Sequence, residues 1–329
     1  MAAPAPAGPA LSKARVAPES ALGDPVATWQ NAIMNRPESL PSSAVVRHHH
    51  EALLLRLNAH SSHYRDPVSA VAWDSLRFDA PWLPEPLLSL YGLPEFDALS
   101  VEERIRLSQA EFVAFCELGL WLEALFIERL GRNRLAEMYR DPAAYRYQLH
   151  EMREEIGHSL MFLELQRRAQ IPFMSSARDR PRLASAFARF APEGSAAFWA
   201  TILVGENIPD RLNRRIFADK ELPAAVLAIT QIHMREEARH MAFARATIQE
   251  RSRRLSAWQK RLLSPLLRRV IHQFLHTCFF PSANVYAAAG LAEPVLLARR
   301  VRHNPHRRRL MDECAAPSRD FLRSQGFSL

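Results

Sequence analysis

Apolar positions along this chain recur with helical spacing. Val45, Val46, Leu53, Leu54 and Leu57 mark a helix over residues 43–60. The capping-box pattern Ser100-Val-Glu-Glu103 opens a proline-free run that predicts a helix to about residue 130. Asp141-Pro142 reads as the N-cap and first residue of the next helix, which should end near Pro172. Further helices are expected over 181–191, 193–217, 222–255, 258–280 and 284–302. Pro209 falls inside one of them and should kink it or loosen a turn just after Glu206. Between residues 61 and 98, Pro67, Pro81, Pro84, Pro86 and Pro94 predict irregular coil with a short helix. No segment alternates apolar and polar residues as a strand would. The pattern predicts an all-α fold with four central helices of bundle length.

Composition narrows the picture. The chain has 329 residues but only 10 glycines, as long helices require. Seven prolines fall in residues 1–42, which predicts an Ala/Pro-rich flexible tail before a single helical domain over 43–329. Cys116, Cys278 and Cys314 are far apart and no CxxC is present, so neither a disulfide scaffold nor a thiolate zinc site is readable. The start of the chain lacks the apolar core of a secretory signal. Residues 270–292 carry no Asp, Glu, Lys or Arg, but Pro281 splits them and His272, Gln273 and His276 are costly in hydrocarbon. Two buried helices and a cytoplasmic protein are expected there, with no membrane contact. The net charge is +8 and includes clusters such as Arg253-Arg254, Arg268-Arg269 and Arg307-Arg308-Arg309. Without interleaved stacking aromatics they predict no nucleic-acid partner. His48-His49-His50 reads as a surface tract, and His272 with His276 as core or pocket lining.

One motif changes the picture. Glu154-Glu155-Ile-Gly-His158 recurs as Glu236-Glu237-Ala-Arg-His240, each inside a long predicted helix. Residues i and i+3 share a helix face, so a carboxylate and an imidazole can reach one metal, or two neighbouring ones, from one rigid segment. With 24 Glu and 13 His, about one Glu-x-x-His is expected by accident, so a single copy means little. Here the two copies are the only ones, and each follows a helix with a carboxylate inside an apolar run: Glu123 in Leu120-Trp-Leu-Glu-Ala-Leu-Phe126 and Glu206 in Ile202-Leu-Val-Gly-Glu206. A buried carboxylate needs a cation or a hydrogen-bonding partner. One Glu from each of two helices, with Glu-x-x-His from each of two others, is the pattern of the dimetal carboxylate bundles. Glu117 is an alternative to Glu123, but both cannot face one point; the spacing favours Glu123. His233 shares a face with Glu237 (i+4) and His240 (i+7), adding a third imidazole. Glu151 holds the equivalent place in the first copy.

The chain resembles the p-aminobenzoate N-oxygenase family of non-haem di-iron enzymes. The resemblance rests on Trp121-Leu-Glu123, Glu154-Glu-Ile-Gly-His-Ser159 with Met161-Phe162, Val204-Gly-Glu206, His233-Met-Arg-Glu-Glu-Ala-Arg-His240 with Phe243-Ala-Arg245, and Asn304-Pro-His306. It covers roughly residues 100–310, although the family more often has Asp-Glu where this chain has Glu-Glu. It implies a ferritin-like four-helix bundle core with additional N- and C-terminal helices. It also implies the metal ligands Glu123, Glu155, His158, Glu206, His233, Glu237 and His240, and a homodimer. The expected cofactor is two iron ions, Fe2+/Fe3+, with O2 as co-substrate; carboxylates and imidazoles suit iron, and manganese less well in this family. Glu154 and Glu236 could orient the histidines by hydrogen bonding. The expected activity is oxidation of an aryl or other primary amine to a hydroxylamine, nitroso or nitro product, with electrons from an external donor or reductase. Carbon hydroxylation or desaturation at the same site is the enzymatic alternative; iron oxidation or storage is the alternative of another class.

Overall fold

The computed structural model describes residues 43–132, 138–175 and 180–329. The tail expected over 1–42 lies outside them. Helix α1 spans Ser43–Ser61. The proline-rich stretch after it holds two short helices, Pro67–Ala70 and Pro94–Asp97, and two 3-10 turns, Trp73–Ser75 and Glu85–Leu87.

Most of the long helices begin at a side-chain cap, although the helix Ala224–Ser252 does not. In α2 (Val101–Gly131) the Ser100 hydroxyl accepts from Glu103 N at 3.2 Å, while the Glu103 carboxylate accepts from Ser100 N at 2.9 Å. In α3 (Pro142–Ala169) Asp141 accepts from Ala144 N at 3.0 Å, and the helix stops at Gln170, which takes a left-handed φ of 53°. Helix α4 is Arg182–Phe190 and α5 is Ala196–Ala218. α5 continues as helix through Pro209, so no turn after Glu206 is lost. Proline removes only one N–H, and the carbonyl deprived of a partner is that of Gly205. Helix α6 spans Ala224–Ser252, and α7, Ala257–Phe279, opens on a second capping box made by Ser256 and Gln259.

The expected helix over 284–302 is in fact two, α8 (Ala283–Ala288) and α9 (Pro294–Val301). Gly290 at φ 71° and Glu293 at φ 52° turn the backbone left-handed between them, and Pro294 starts the second. Helix α10, Pro305–Ser324, was not among the expected helices, although Asn304-Pro305 repeats the start seen at Asp141-Pro142. The uncharged run over 270–292 divides between the end of α7 and α8, as expected. Among the described residues no helix is long and apolar enough to cross a membrane.

α2 packs along α3 and α5 along α6, and α3 also meets α6. These four form the core of an all-α, ferritin-like bundle, with α4 lying in the connection between the two pairs. α7 and α10 pack on α5, α4 lies against α2 and α7, and α8 against α2. Leu107, Phe112, Leu165, Phe198, Trp199, Leu203, Val226 and Ile248 are buried in the core. Each contributes about 1.5–3 kcal/mol of burial. This packing brings the polar faces of four helices, not only their apolar ones, into the interior.

Candidate metal centre

Glu123 comes from α2, Glu155 and His158 from α3, Glu206 from α5, and His233, Glu237 and His240 from α6. All seven are buried, with relative exposures of 0–7%. The two Glu-x-x-His segments face each other. His158 Nδ1 lies 3.2 Å from Glu155 Oε2, 3.3 Å from Glu237 Oε1 and 3.7 Å from Glu123 Oε1. His240 Nδ1 lies 2.9 Å from Glu155 Oε1 and 3.2 Å from Glu237 Oε2. Each histidine therefore points Nδ1 at both carboxylates of the repeat. His233 joins with its other nitrogen: Nε2 is 3.5 Å from Glu237 Oε1 and 3.6 Å from Glu123 Oε1.

The ligand atoms form two groups, each within 4.8 Å: Glu123, His158, His233 and Glu237, and Glu155, Glu237 and His240. Glu237 belongs to both, as a bridging carboxylate would. Glu206 is buried close enough to feel the charges of Glu237 and Glu155. Glu117 is elsewhere, accepting from Met174 N and Ser175 N at 2.9 Å each and pairing with Arg180 at 3.1 Å. Glu111 is bonded to Ser89, and Glu128 pairs with Arg132 and Arg189. The geometry thus groups six of the seven residues named, leaves Glu206 out of both groups although it is buried nearby, and places Glu117 elsewhere.

Behind the cluster the arrangement crosses over. His158 Nε2 lies 2.9 Å from Glu236 of α6, and His240 Nε2 lies 2.9 Å from Glu154 of α3. Glu154 is further held by Arg239 at 2.8 Å and Glu236 by Arg235 at 3.2 Å. A carboxylate accepting from Nε2–H fixes the tautomer that offers Nδ1 to a cation. Asn213 Nδ2 lies 2.9 Å from His233 Nδ1. It was not among the expected residues, although it follows Glu206 by two helical turns (i+7). Arg235 and Arg239 carried no signal in the sequence, since any exposed arginine looks alike before its neighbours are known. Gly157, inside the first repeat, admits Tyr64: a Cβ there would sit 2.5 Å from the Tyr64 Oη.

The charges in the cluster strain against one another. Burial and the charges of Glu123 and Glu237 raise the Glu155 carboxyl well above its usual range, and burial with the charges of Glu237 and Glu155 does the same to Glu206. Glu237 lies well below that range: burial opposes ionisation, but the charge on His240 and the adjoining His158 and His240 imidazoles outweigh it. In Glu123 burial is likewise overcome by the adjoining Glu155, His158 and His233 side chains. His158 and His240 are raised well above the usual imidazole value, with burial outweighed by the surrounding carboxylates. Protons here occupy places that divalent cations would take. His233 Nε2 and Glu237 Oε1, both buried, have no hydrogen-bond partner. Such orphaned donor atoms, 3.5 Å apart, fit a metal ion. The hard oxygen and borderline nitrogen donors suit iron or manganese.

A narrow cavity of about 50 Å³ borders the cluster, lined by Trp121, Phe126, Phe198 and Phe274 among others, with Glu206 in its wall. The other histidine tracts lie apart from the cluster: His49 is exposed, His50 faces Asp141 at 3.8 Å, and the rings of His272 and His276 are neighbours on α7.

Comparison with known proteins decides the relationship. The family model described as "P-aminobenzoate N-oxygenase AurF" matches residues 47–326. The chain belongs to the AurF family. The resemblance drawn from the motifs is borne out: the family model spans the segments that carry the buried carboxylate–histidine cluster. Curated relatives include "Uncharacterized protein Rv0885" of Mycobacterium tuberculosis and "Uncharacterized protein Mb0909" of Mycobacterium bovis, each 27% identical over 201 residues. The match covers 59% of this chain and 59% of theirs. Similar solved structures include an R2-like ligand-binding oxidase mutant with aerobically reconstituted Mn/Fe cofactor, at 16% identity and a TM-score of 0.49, covering 84% of this chain and 93% of that one. The same oxidase after photoconversion gives 16% and 0.48 over the same shares.

Proposed function

We propose that this AurF-family protein is an O2-dependent non-haem di-iron N-oxygenase, which oxidises an aryl or other primary amine to the hydroxylamine, nitroso or nitro level in specialised metabolism. The observation that carries this reading is the third imidazole, His233, in a cluster whose wall opens on an aromatic-lined cavity. Two iron ions held by Glu123, Glu155, His158, Glu206, His233, Glu237 and His240 would supply O2 activation and two-electron redox chemistry. The rest falls to the chain. Trp121, Phe126, Phe198 and Phe274 line a small apolar cavity that would have to widen to admit an aryl amine beside the cluster. Glu206, where that cavity meets the cluster, can accept a hydrogen bond from the amine and fix its nitrogen. Glu154 and Glu236 hold the two repeat histidines in one tautomer. An organic pocket beside the cluster favours oxygenation over iron storage.

Electrons come, in this reading, from an external donor. The free thiols Cys116, Cys278 and Cys314 fit a reducing, cytoplasmic setting. A homodimer is supported by α3, where Leu149, Met152, Ile156, Leu160 and Leu163 make an apolar stripe on the surface, four of them 42–51% exposed. Their spacing close to 3.5 residues is that of a helix pairing with its own copy.

The test is direct. The purified protein is assayed for metal, reduced without oxygen, exposed to O2 and offered a panel of aromatic and aliphatic amines, with products read by mass spectrometry. N-oxygenated products are expected at two irons per chain. Products oxidised only at carbon would replace N-oxygenation with hydroxylation or desaturation, and absence of bound iron would remove the central claim.

A further inference from the structure

No membrane contact is expected from the sequence. The structure adds an apolar face to one of the basic clusters. On the first half of α7, Trp258, Leu262 and Leu266 are 69%, 63% and 36% exposed. They follow one another at i, i+4 and i+8, so they form a single strip. The opposite side of the helix is occupied: Leu267, Val270, Ile271 and Phe274 are buried in the protein. The strip is therefore a second apolar face, pointing away from the fold.

Its border is cationic. From Arg251 to Arg269 there are seven Lys or Arg residues, and no Asp or Glu occurs between 251 and 292. Arg253, Arg261 and Arg269 are exposed, and none has an ion-pair partner among the described residues. On an ideal helix Arg269 falls within the strip, with Arg261 and Arg268 along one side. This charge decides between occupants. A second copy paired through this face would set arginines against arginines. A nucleic-acid backbone would engage the cations and leave Trp258, Leu262 and Leu266 in water. An anionic bilayer surface satisfies both, with phosphates for the guanidinium groups and the acyl boundary for the indole and leucines.

We propose that the first half of α7 is an interfacial anchor that seats this protein on an anionic phospholipid surface. Trp258, Leu262 and Leu266 enter the headgroup–acyl boundary, and Arg253, Arg261 and Arg269 contact lipid phosphates. The next turns of the same helix, Val270, Ile271 and Phe274, line the cavity beside Glu206. The anchor thus holds the cavity near an apolar phase. It stands whether or not the substrate is an amine.

The experiment is sedimentation of the full-length protein with vesicles of phosphatidylcholine alone and of equimolar phosphatidylcholine and phosphatidylglycerol, alongside tryptophan emission. Binding to the mixed vesicles, a blue shift, and weakening with added salt are expected. L262E and W258A should each lower the affinity by roughly tenfold or more, as should the R261A/R269A pair. All these positions are exposed, and unchanged circular dichroism and melting would show that the fold is intact. Equal binding to neutral vesicles, or none to either, overturns the proposal. So does wild-type vesicle binding by L262E, self-association that L262E abolishes, or tighter binding to a DNA duplex at the same salt.

Discussion

The repeat histidines are held at both ring nitrogens, and this makes individual residues separable by experiment. Glu236 and Glu154 touch only the outer nitrogens of His158 and His240. Replacing either with alanine should weaken metal binding by roughly 10–100-fold without removing a ligand, measured by competition with a chelator. His233→Ala should lower the affinity of one metal position more than the other, giving two distinct constants where the parent protein gives closer ones. Glu123→Ala and Glu117→Ala form a contrasting pair. The first should cut metal content. The second should leave it unchanged but destabilise the fold by about 1–3 kcal/mol, because Met174 N and Ser175 N lose their acceptor.

The direction of the pH dependence follows from the same groups. Glu155, Glu206, His158 and His240 all have raised proton affinity in the metal-free cluster. These protons must leave when cations enter, so metal affinity should rise with pH and fall as the solution is acidified. Calorimetry in buffers of different ionisation enthalpy should detect proton release on metal binding; a buffer-independent heat would contradict it.

Among the elements, α3 carries two features that can be tested apart. Inward, Gly157 lets Tyr64 and Pro67 lie against the turn that carries His158. Gly157→Ala places a methyl 2.5 Å from Tyr64 Oη and 3.0 Å from the Pro67 ring, and should destabilise by about 1–3 kcal/mol. Tyr64→Phe in the same background should recover part of the loss, read from melting temperatures. Outward, the proposed homodimer would pair through the exposed stripe, and Ile156→Glu with Leu160→Glu should yield monomers by light scattering. The helix boundaries themselves were legible where a side chain caps them. Ser100 with Glu103 and Asp141 with Pro142 marked their starts because these bonds are local. Residues 284–302 misled because apolar spacing continues across Gly290, whose left-handed backbone does not show in a periodicity.

For the whole molecule, the metal and the fold should stabilise each other. A bundle that buries this many ionisable side chains gains by exchanging protons for cations, and at a hundredfold excess over Kd each site adds about 2.7 kcal/mol. Adding ferrous iron without oxygen should therefore raise the melting temperature, and a chelator should reverse the gain. Much of this centre was legible because its ligands sit at helical spacings, in two copies with matched separations. Asn213 was readable by the same rule, two turns after Glu206. Arg235 and Arg239 were not, since their roles come from facing the partner helix.

By itself the sequence determined the helical class, the four central helices and the set of acids and imidazoles that could share a face. These follow from periods of 3.6 residues and from caps, which are properties of neighbouring residues. Only the tertiary structure decided that Glu123 faces the cluster while Glu117 turns to Ser175, and that Glu154 and Glu236 reach across to the opposite helix. It also decided that Trp258, Leu262 and Leu266 remain outside the protein. Each depends on how helices rotate against one another, and that rotation is set by packing among residues far apart in the chain.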